Sequence, residues 1–211
     1  MNNQLAVKEK LQVFLDSIQS ERDGPVTDLK LDKTQAQKIE QLTLELEAVN
    51  PNLNPLRSAP FLLQGTWQLL YSTAREIRSL DKLPLGFKVG KVYQVINVAD
   101  NTFFNLANVT HPLRILSGYV KVTATFELYQ ENSDSQPDKR LNVYFDKRYL
   151  SIQKIAGFVT PQLNPFKVSS ANNPSGRIAT LDITYLDETL RIGRGGDGSL
   201  FILCKSDDLH S

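Results

Sequence analysis

Val7, Leu11, Phe14, Leu15 and Ile18 recur at the spacing of one helix face, so the chain is expected to open with an amphipathic helix. Gly24-Pro25 closes that region. Asp32 then offers a helix N-cap, with Gln35 placed as its capping-box partner. Ile39, Leu42, Leu46 and Val49 form a second stripe, which Asn50-Pro51 stops, and Pro55 and Pro60 keep the following chain extended. Each stripe is too narrow to make a core alone. Residues 1–60 are therefore expected to form a helical hairpin capping a main domain, with a partner-binding helix pair as the alternative.

From Gly65 the period drops to that of a strand. Trp67, Leu69 and Tyr71 alternate with Thr66, Gln68 and Leu70. Residues 91–98 and 102–109 read as two strands joined by a hairpin turn at Asp100-Asn101. The clearest alternation is Val120, Val122, Ala124, Phe126 and Leu128 against Tyr119, Lys121, Thr123, Thr125 and Glu127. After a polar loop, Glu131 to Lys139, the pattern resumes in Leu141, Val143 and Phe145, then in 178–185, 188–193 and Ser199 to Cys204. About eight sequential strands without helical crossovers predict a mainly β fold, an antiparallel barrel over residues 61–205 with a short tail at 206–211. Periodicity does not decide whether such a barrel is filled or holds a ligand.

Two long connections, Ser72 to Val89 and Ser151 to Arg177, are unusually apolar. They are read either as loops folded over the barrel mouth or as a lid or membrane-dipping rim, with Leu85, Phe87, Phe158 and Phe166 as the contact residues.

Composition narrows the functions. With 24 Lys+Arg against 23 Asp+Glu, the chain lacks the basic excess that duplex nucleic acid demands. One Cys and two His (His111 and His210) leave little for a disulfide scaffold, a zinc site or a His-dependent relay, and no metal or cofactor is expected. No apolar run approaches the roughly 20 residues of a membrane span. The opening residues lack a signal or transit pattern, which suggests a soluble or membrane-peripheral protein made where it works.

Candidate chemistry is sparse. Gly193 to Gly198 is glycine-rich, but the strand that follows points to a turn at Asp197-Gly198 rather than a phosphate cradle. There is no G-x-S-x-G elbow. Cys204 lies in an apolar strand and is read as a structural thiol. His111 is read as a lone surface residue in a turn, and Asp182 as a cross-strand partner of Arg191. Gly65-Thr66-Trp67 has the form of a barrel-floor motif, in which the Trp plugs the closed end and a late cation stacks on the indole; Arg191, Arg194 and Lys205 are the candidates.

Three blocks of the sequence carry a family resemblance. The first is Leu46-Glu47-Ala48-Val49-Asn50-Pro51 and Asn54-Pro55-Leu56 leading into Leu63-Gln64-Gly65-Thr66-Trp67-Gln68-Leu69-Leu70-Tyr71-Ser72-Thr73. The second is Gly90-Lys91-Val92-Tyr93-Gln94 with Asn97-Val98. The third and most specific runs from Thr184-Tyr185-Leu186-Asp187-Glu188-Thr189-Leu190-Arg191-Ile192-Gly193-Arg194-Gly195 to Gly198-Ser199-Leu200-Phe201-Ile202-Leu203.

On these three blocks the chain resembles the plastid-lipid-associated protein, or fibrillin, family over about residues 8–205. That resemblance implies a lipocalin-like barrel, a non-catalytic role, and association with thylakoids or lipid globules through a lipophilic small molecule, with a link to photoprotection. It marks Gly65, Trp67, Asp187, Arg191 and Arg194 as motif residues. A cyanobacterial form, cytoplasmic and peripheral to the thylakoid, is the expected setting. By alternation the cup for a prenylquinone, carotenoid or fatty acid would be lined by Val120, Val122, Ala124, Phe126, Leu141, Val143 and Phe145 over Trp67. Phe103 and Asn105 join them, though the face of their strand is ambiguous. Rival readings are a coat protein with a filled barrel, and an enzyme using Asp182, Asp187 or the arginines.

Overall fold

A computed structural model describes residues 2–19, 24–80, 87–113, 115–130, 138–171 and 176–207. Leu85 and His210, and nearly all of the polar loop after Leu128, lie outside the described residues.

Two helices open the chain, α1 (Asn2–Gln19) and α2 (Lys33–Glu47). The capping box forms as expected: the Asp32 carboxylate accepts from the Gln35 N–H at 2.8 Å, and the Gln35 side chain accepts from the Asp32 N–H at 3.1 Å. Between the helices, β1 (Val26–Thr27) lies parallel to the end of β2 (Gly65–Ser72). The segment leading into β2 is not extended as expected: Pro55 and Pro60 open a short helix, α3 (Pro55–Ser58), and a 3-10 turn at Pro60–Leu63, since a proline at a helix start gives up only an N–H that has no partner there.

The barrel follows. Its strands are β2, β3 (Lys88–Asn97), β4 (Thr102–Thr110), β5 (Leu116–Leu128), β6 (Arg140–Ile155), β9 (Ala179–Leu186), β10 (Leu190–Gly195) and β11 (Leu200–Lys205). The order is β2-β11-β10-β9-β6-β5-β4-β3, all antiparallel, and β3 pairs back onto β2 to close the ring. Closure removes the sheet edges.

The helices cover the outer face of β2, β9, β10 and β11. Leu11, Leu15, Ile39, Leu42 and Leu46 pack there against Tyr71, Tyr185, Leu190, Ile192 and Ile202. These strands are buried on both faces, which explains why Leu200 to Cys204 is an unbroken apolar run instead of an alternation. Among the described residues no helix covers the opposite wall, β3 to β6, and β5 accordingly keeps its polar outer set.

Three further expectations are corrected. The segment after Ser151 is not a loop. β6 runs on to Ile155, and β7 (Phe158–Val159) and β8 (Lys167–Ser170) fold back to pair with it, around a 3-10 turn at Pro161–Leu163. A bulge hides this continuation: the register with β5 shifts between Val122 and Ala124, opposite Arg148 and Phe145, so the alternation breaks at three consecutive charged residues, Asp146, Lys147 and Arg148. Secondly, Tyr71 does not share a face with Trp67 and Leu69. A register shift against β11 places Leu70 and Tyr71 together on the helix-covered side. Thirdly, part of the connection after Ser72 is helical, as α4 (Arg75–Ser79).

Candidate functional site

Cross-strand partners in an antiparallel sheet point to the same face. Ile96, Gln94 and Val92 of β3 pair with Phe103, Asn105 and Ala107 of β4, which pair with Ala124, Val122 and Val120 of β5. Phe126 and Ala124 then pair with Val143 and Phe145 of β6, and Leu128 with Leu141. Trp67 pairs with Gln94, and Leu203 with Leu69, on that face. All ten residues expected to line a cup therefore share the barrel's inner face, Phe103 and Asn105 included.

The end where β2 begins and β5 stops is closed. Leu56 and Leu63, from the segment before β2, pack there with Trp67, Leu141, Leu186 and Leu203. Trp67 has no exposed surface, and its Nε1 donates to the Leu63 carbonyl at 2.9 Å. Two cations stack on its indole: the Arg191 guanidinium lies 5.0 Å from the ring centroid and Lys205 Nζ 4.4 Å. Of the three cations proposed for this stack, Arg194 is the one that does not join it.

Arg191 is 3% exposed, and no carboxylate pairs with it among the described residues. Burial pushes its guanidinium down to about 9 from the ordinary arginine value, which leaves it cationic at neutral pH. Its partner is Gln94, whose Oε1 accepts from Arg191 Nη2, while Gln94 Nε2 donates to Asn105 Oδ1 at 3.0 Å. Lys205 Nζ donates to the carbonyls of Leu62 and Gln64, and burial, then the Arg191 charge, lowers its pKa. The expected Asp182–Arg191 pair does not form. Asp182 sits opposite Arg194 in the β9–β10 register and accepts from Arg140 at 2.6 Å, because Arg191 faces inward. Gln94 was missed by sequence reasoning, although it is the one polar residue among the inward Val92, Gln94 and Ile96.

Exposure varies over the inner face. Ala124, Phe126, Leu141 and Val143 are buried, whereas Val120, Val122, Phe103, Asn105 and Phe145 are half-buried. Phe103 and Phe145 meet edge-on, with ring centroids 6.5 Å apart. At the mouth, a groove of about 480 Å³ lies between the β4–β5 end and the β6–β7 fold, lined by Val109, Gly118, Gln153 and Thr160 among others.

The rim at this end is apolar and exposed. Phe158 is 78% and Phe166 57% exposed, beside exposed Leu113, Ile115, Val159 and Val168. Phe87 is half-buried, edge-on to the His111 ring at 5.4 Å, so neither is a lone surface group. Among the described residues no helix is long and apolar enough to cross a membrane.

The remaining motif residues fasten the fold. Asp187 accepts from the N–H groups of Thr189 and Leu190 at 2.8 and 2.7 Å, from the Tyr185 hydroxyl at 2.7 Å and from Lys8 of α1 at 2.6 Å. Burial alone would raise its pKa, but these hydrogen bonds hold the carboxyl below the ordinary value. Arg194 reaches α2, donating to Glu47 and Glu40 at 2.8 Å each. Gly198, at a φ of +84°, forms the β10–β11 turn, closed by Gly198 N–H to Gly195 O at 2.9 Å. Cys204 is half-buried, and burial raises its thiol pKa.

The PAP_fibrillin family model matches residues 8–204. The chain belongs to this family. Plastoglobulin-1, chloroplastic, of Pisum sativum is 28% identical over 197 residues, covering 80% of this chain and 54% of the relative. Probable plastid-lipid-associated protein 5, chloroplastic, of Arabidopsis thaliana is 35% identical over 173 residues, covering 82% and 60%. Probable plastid-lipid-associated protein 3, chloroplastic, of Oryza sativa subsp. japonica is 31% identical over 198 residues, covering 78% and 51%. The chain thus spans little more than half the length of these curated relatives.

Proposed function

We propose that this fibrillin-family chain binds one small lipophilic molecule, without catalysis, at the surface of a thylakoid membrane or lipid globule, in a structural and photoprotective role. The observation that carries the reading is the inner face of the barrel, which is apolar over most of its area, packed at the Trp67 floor and partly exposed at Val120 and Val122. An apolar tail entering there gains about 25 cal/mol per Å² of surface removed from water, or several kcal/mol for a few hundred Å². Prenylquinones, carotenoids and fatty acids have such tails. The exposed rim of Phe158 and Phe166 supports a peripheral lipid contact, and the names of the relatives associate those proteins with plastid lipid.

The test is uptake of a fluorescent lipophile by the purified chain and by Val122→Arg. Val122 is inward but half-buried, so the new side chain can reach water through the mouth while blocking the cup. Uptake should fall to background with the melting temperature kept. A second reading, a coat protein with a filled barrel, is favoured by the tight packing of Phe126, Leu141 and Leu203 on the floor. It predicts instead that Val122→Arg leaves lipid association intact and that Phe158→Asp removes it.

A further inference from the structure

The hydrogen-bond chain at the floor has a direction. Arginine has donors and no acceptor. Gln94 must therefore turn its oxygen to Arg191 and its amide NH2 to Asn105, and Asn105 must answer with its oxygen. The orientation of two amides is thus set by one buried cation. What remains at the end of the chain is Asn105 Nδ2, a donor with no partner among the described residues, on a half-buried inward residue.

The chain also polarises outward, because each amide is aligned by the charge behind it. The same cross-strand row continues from Asn105 through Val122 to Arg148 near the mouth. Strands in a barrel tilt, so a row across them climbs the inner wall. The row from Lys205 through Trp67, Gln94, Asn105 and Val122 to Arg148 thus runs from one cation to another, and no acidic residue stands between them.

Resting on the reading of the barrel as a lipophile cup, we infer that the cup selects a lipophile carrying a hydrogen-bond-accepting oxygen, a carbonyl or a carboxylate, and seats that oxygen on Asn105 Nδ2. The apolar tail lies along Val122 and Val120 toward the rim. A purely hydrocarbon ligand would leave the donor of Asn105 dry and unpaired, which penalises it relative to an oxygen-headed ligand of equal length.

Three labelled probes of matched chain length test this on the delipidated full chain: palmitate, a long-chain methyl ketone and the alkane. Each is measured on the wild type, Asn105→Leu and Asn105→Asp, and the affinity ratio for each probe cancels its own solubility. Asn105→Asp keeps an acceptor for Gln94 but replaces the free donor with a carboxylate oxygen. The expected result is a loss of about tenfold for the ketone relative to the alkane in both variants, and a larger relative loss for palmitate in Asn105→Asp. Retained emission of the buried Trp67 and an unchanged melting temperature show that the variants fold. Equal losses for all probes, or ketone and palmitate affinities indifferent to both variants, overturn the selection by Asn105 while leaving the cup intact. If no probe binds the wild type, the cup reading falls and this inference with it. A loss confined to palmitate assigns the site to carboxylates; one shared by the ketone assigns it to carbonyl oxygen generally, and both outcomes support the inference.

Discussion

Arg191 lies over the indole of Trp67 inside a closed barrel, 5.0 Å from the ring centroid, with a glutamine rather than a carboxylate as its hydrogen-bond partner. A buried cation held by a π face and an amide is costly to desolvate, so its charge adds little to stability. Its stem and its orienting role are what the fold uses. Arg191→Ala is therefore expected to cost about 2–4 kcal/mol in urea unfolding, through lost packing and an orphaned Gln94. Arg191→Met should recover most of that loss. An Arg191→Met variant as unstable as Arg191→Ala would show that the charge itself holds the floor together.

Trp67 is the single tryptophan and is fully buried, so fluorescence reports on the floor alone. Emission should be blue-shifted and resist acrylamide until the global unfolding transition. Trp67→Ala is expected to cost about 3–5 kcal/mol by opening the closed end. A freely quenched wild-type signal would contradict the plugged floor.

Asp187 sets an acid limit on stability. Its folded pKa lies below the ordinary 3.8, so in the window between the two values the unfolded state binds more protons than the folded state. Its contribution is present above about the ordinary value and is lost as pH falls through the folded pKa. Unfolding free energy measured from near neutrality into that window should fall for the wild type and fall less steeply for Asp187→Asn. Identical slopes would remove Asp187 as the fastener of the β9–β10 turn and α1.

Arg194 and Glu47 tie α2 to the barrel wall in a half-buried ion pair. A double-mutant cycle on Arg194→Ala and Glu47→Ala should give a coupling of about 0.5–1 kcal/mol that shrinks in high salt. Zero coupling at low salt would mean that helix docking rests on the apolar contacts alone.

Much of this architecture was legible in the sequence, and the failures have a common cause. The alternation through Val120 to Phe126 marks the inner face directly, because no helix among the described residues covers the outer face of β5. The Asp32–Gln35 box was legible because capping is local. Bulges defeated the pattern at Tyr71 and after Phe145, since one extra residue moves every following side chain to the other face. Arg191 was assigned to Asp182 because adjacent strands place a cation near an acid in sequence, whereas inward or outward direction depends on the β9–β10 register shift at Ile192/Gly193. Gln94 carried a visible signal, a polar residue in an inward apolar set, that gained meaning only with Arg191 beside it.

The most direct test of the cup is mass spectrometry of the organic extract from the chain purified out of a phototroph's cells, with Val122→Arg prepared in parallel. The account predicts one lipophile at near-stoichiometric yield, absent from the folded variant. A membrane-like lipid mixture, equal in both samples, would contradict it.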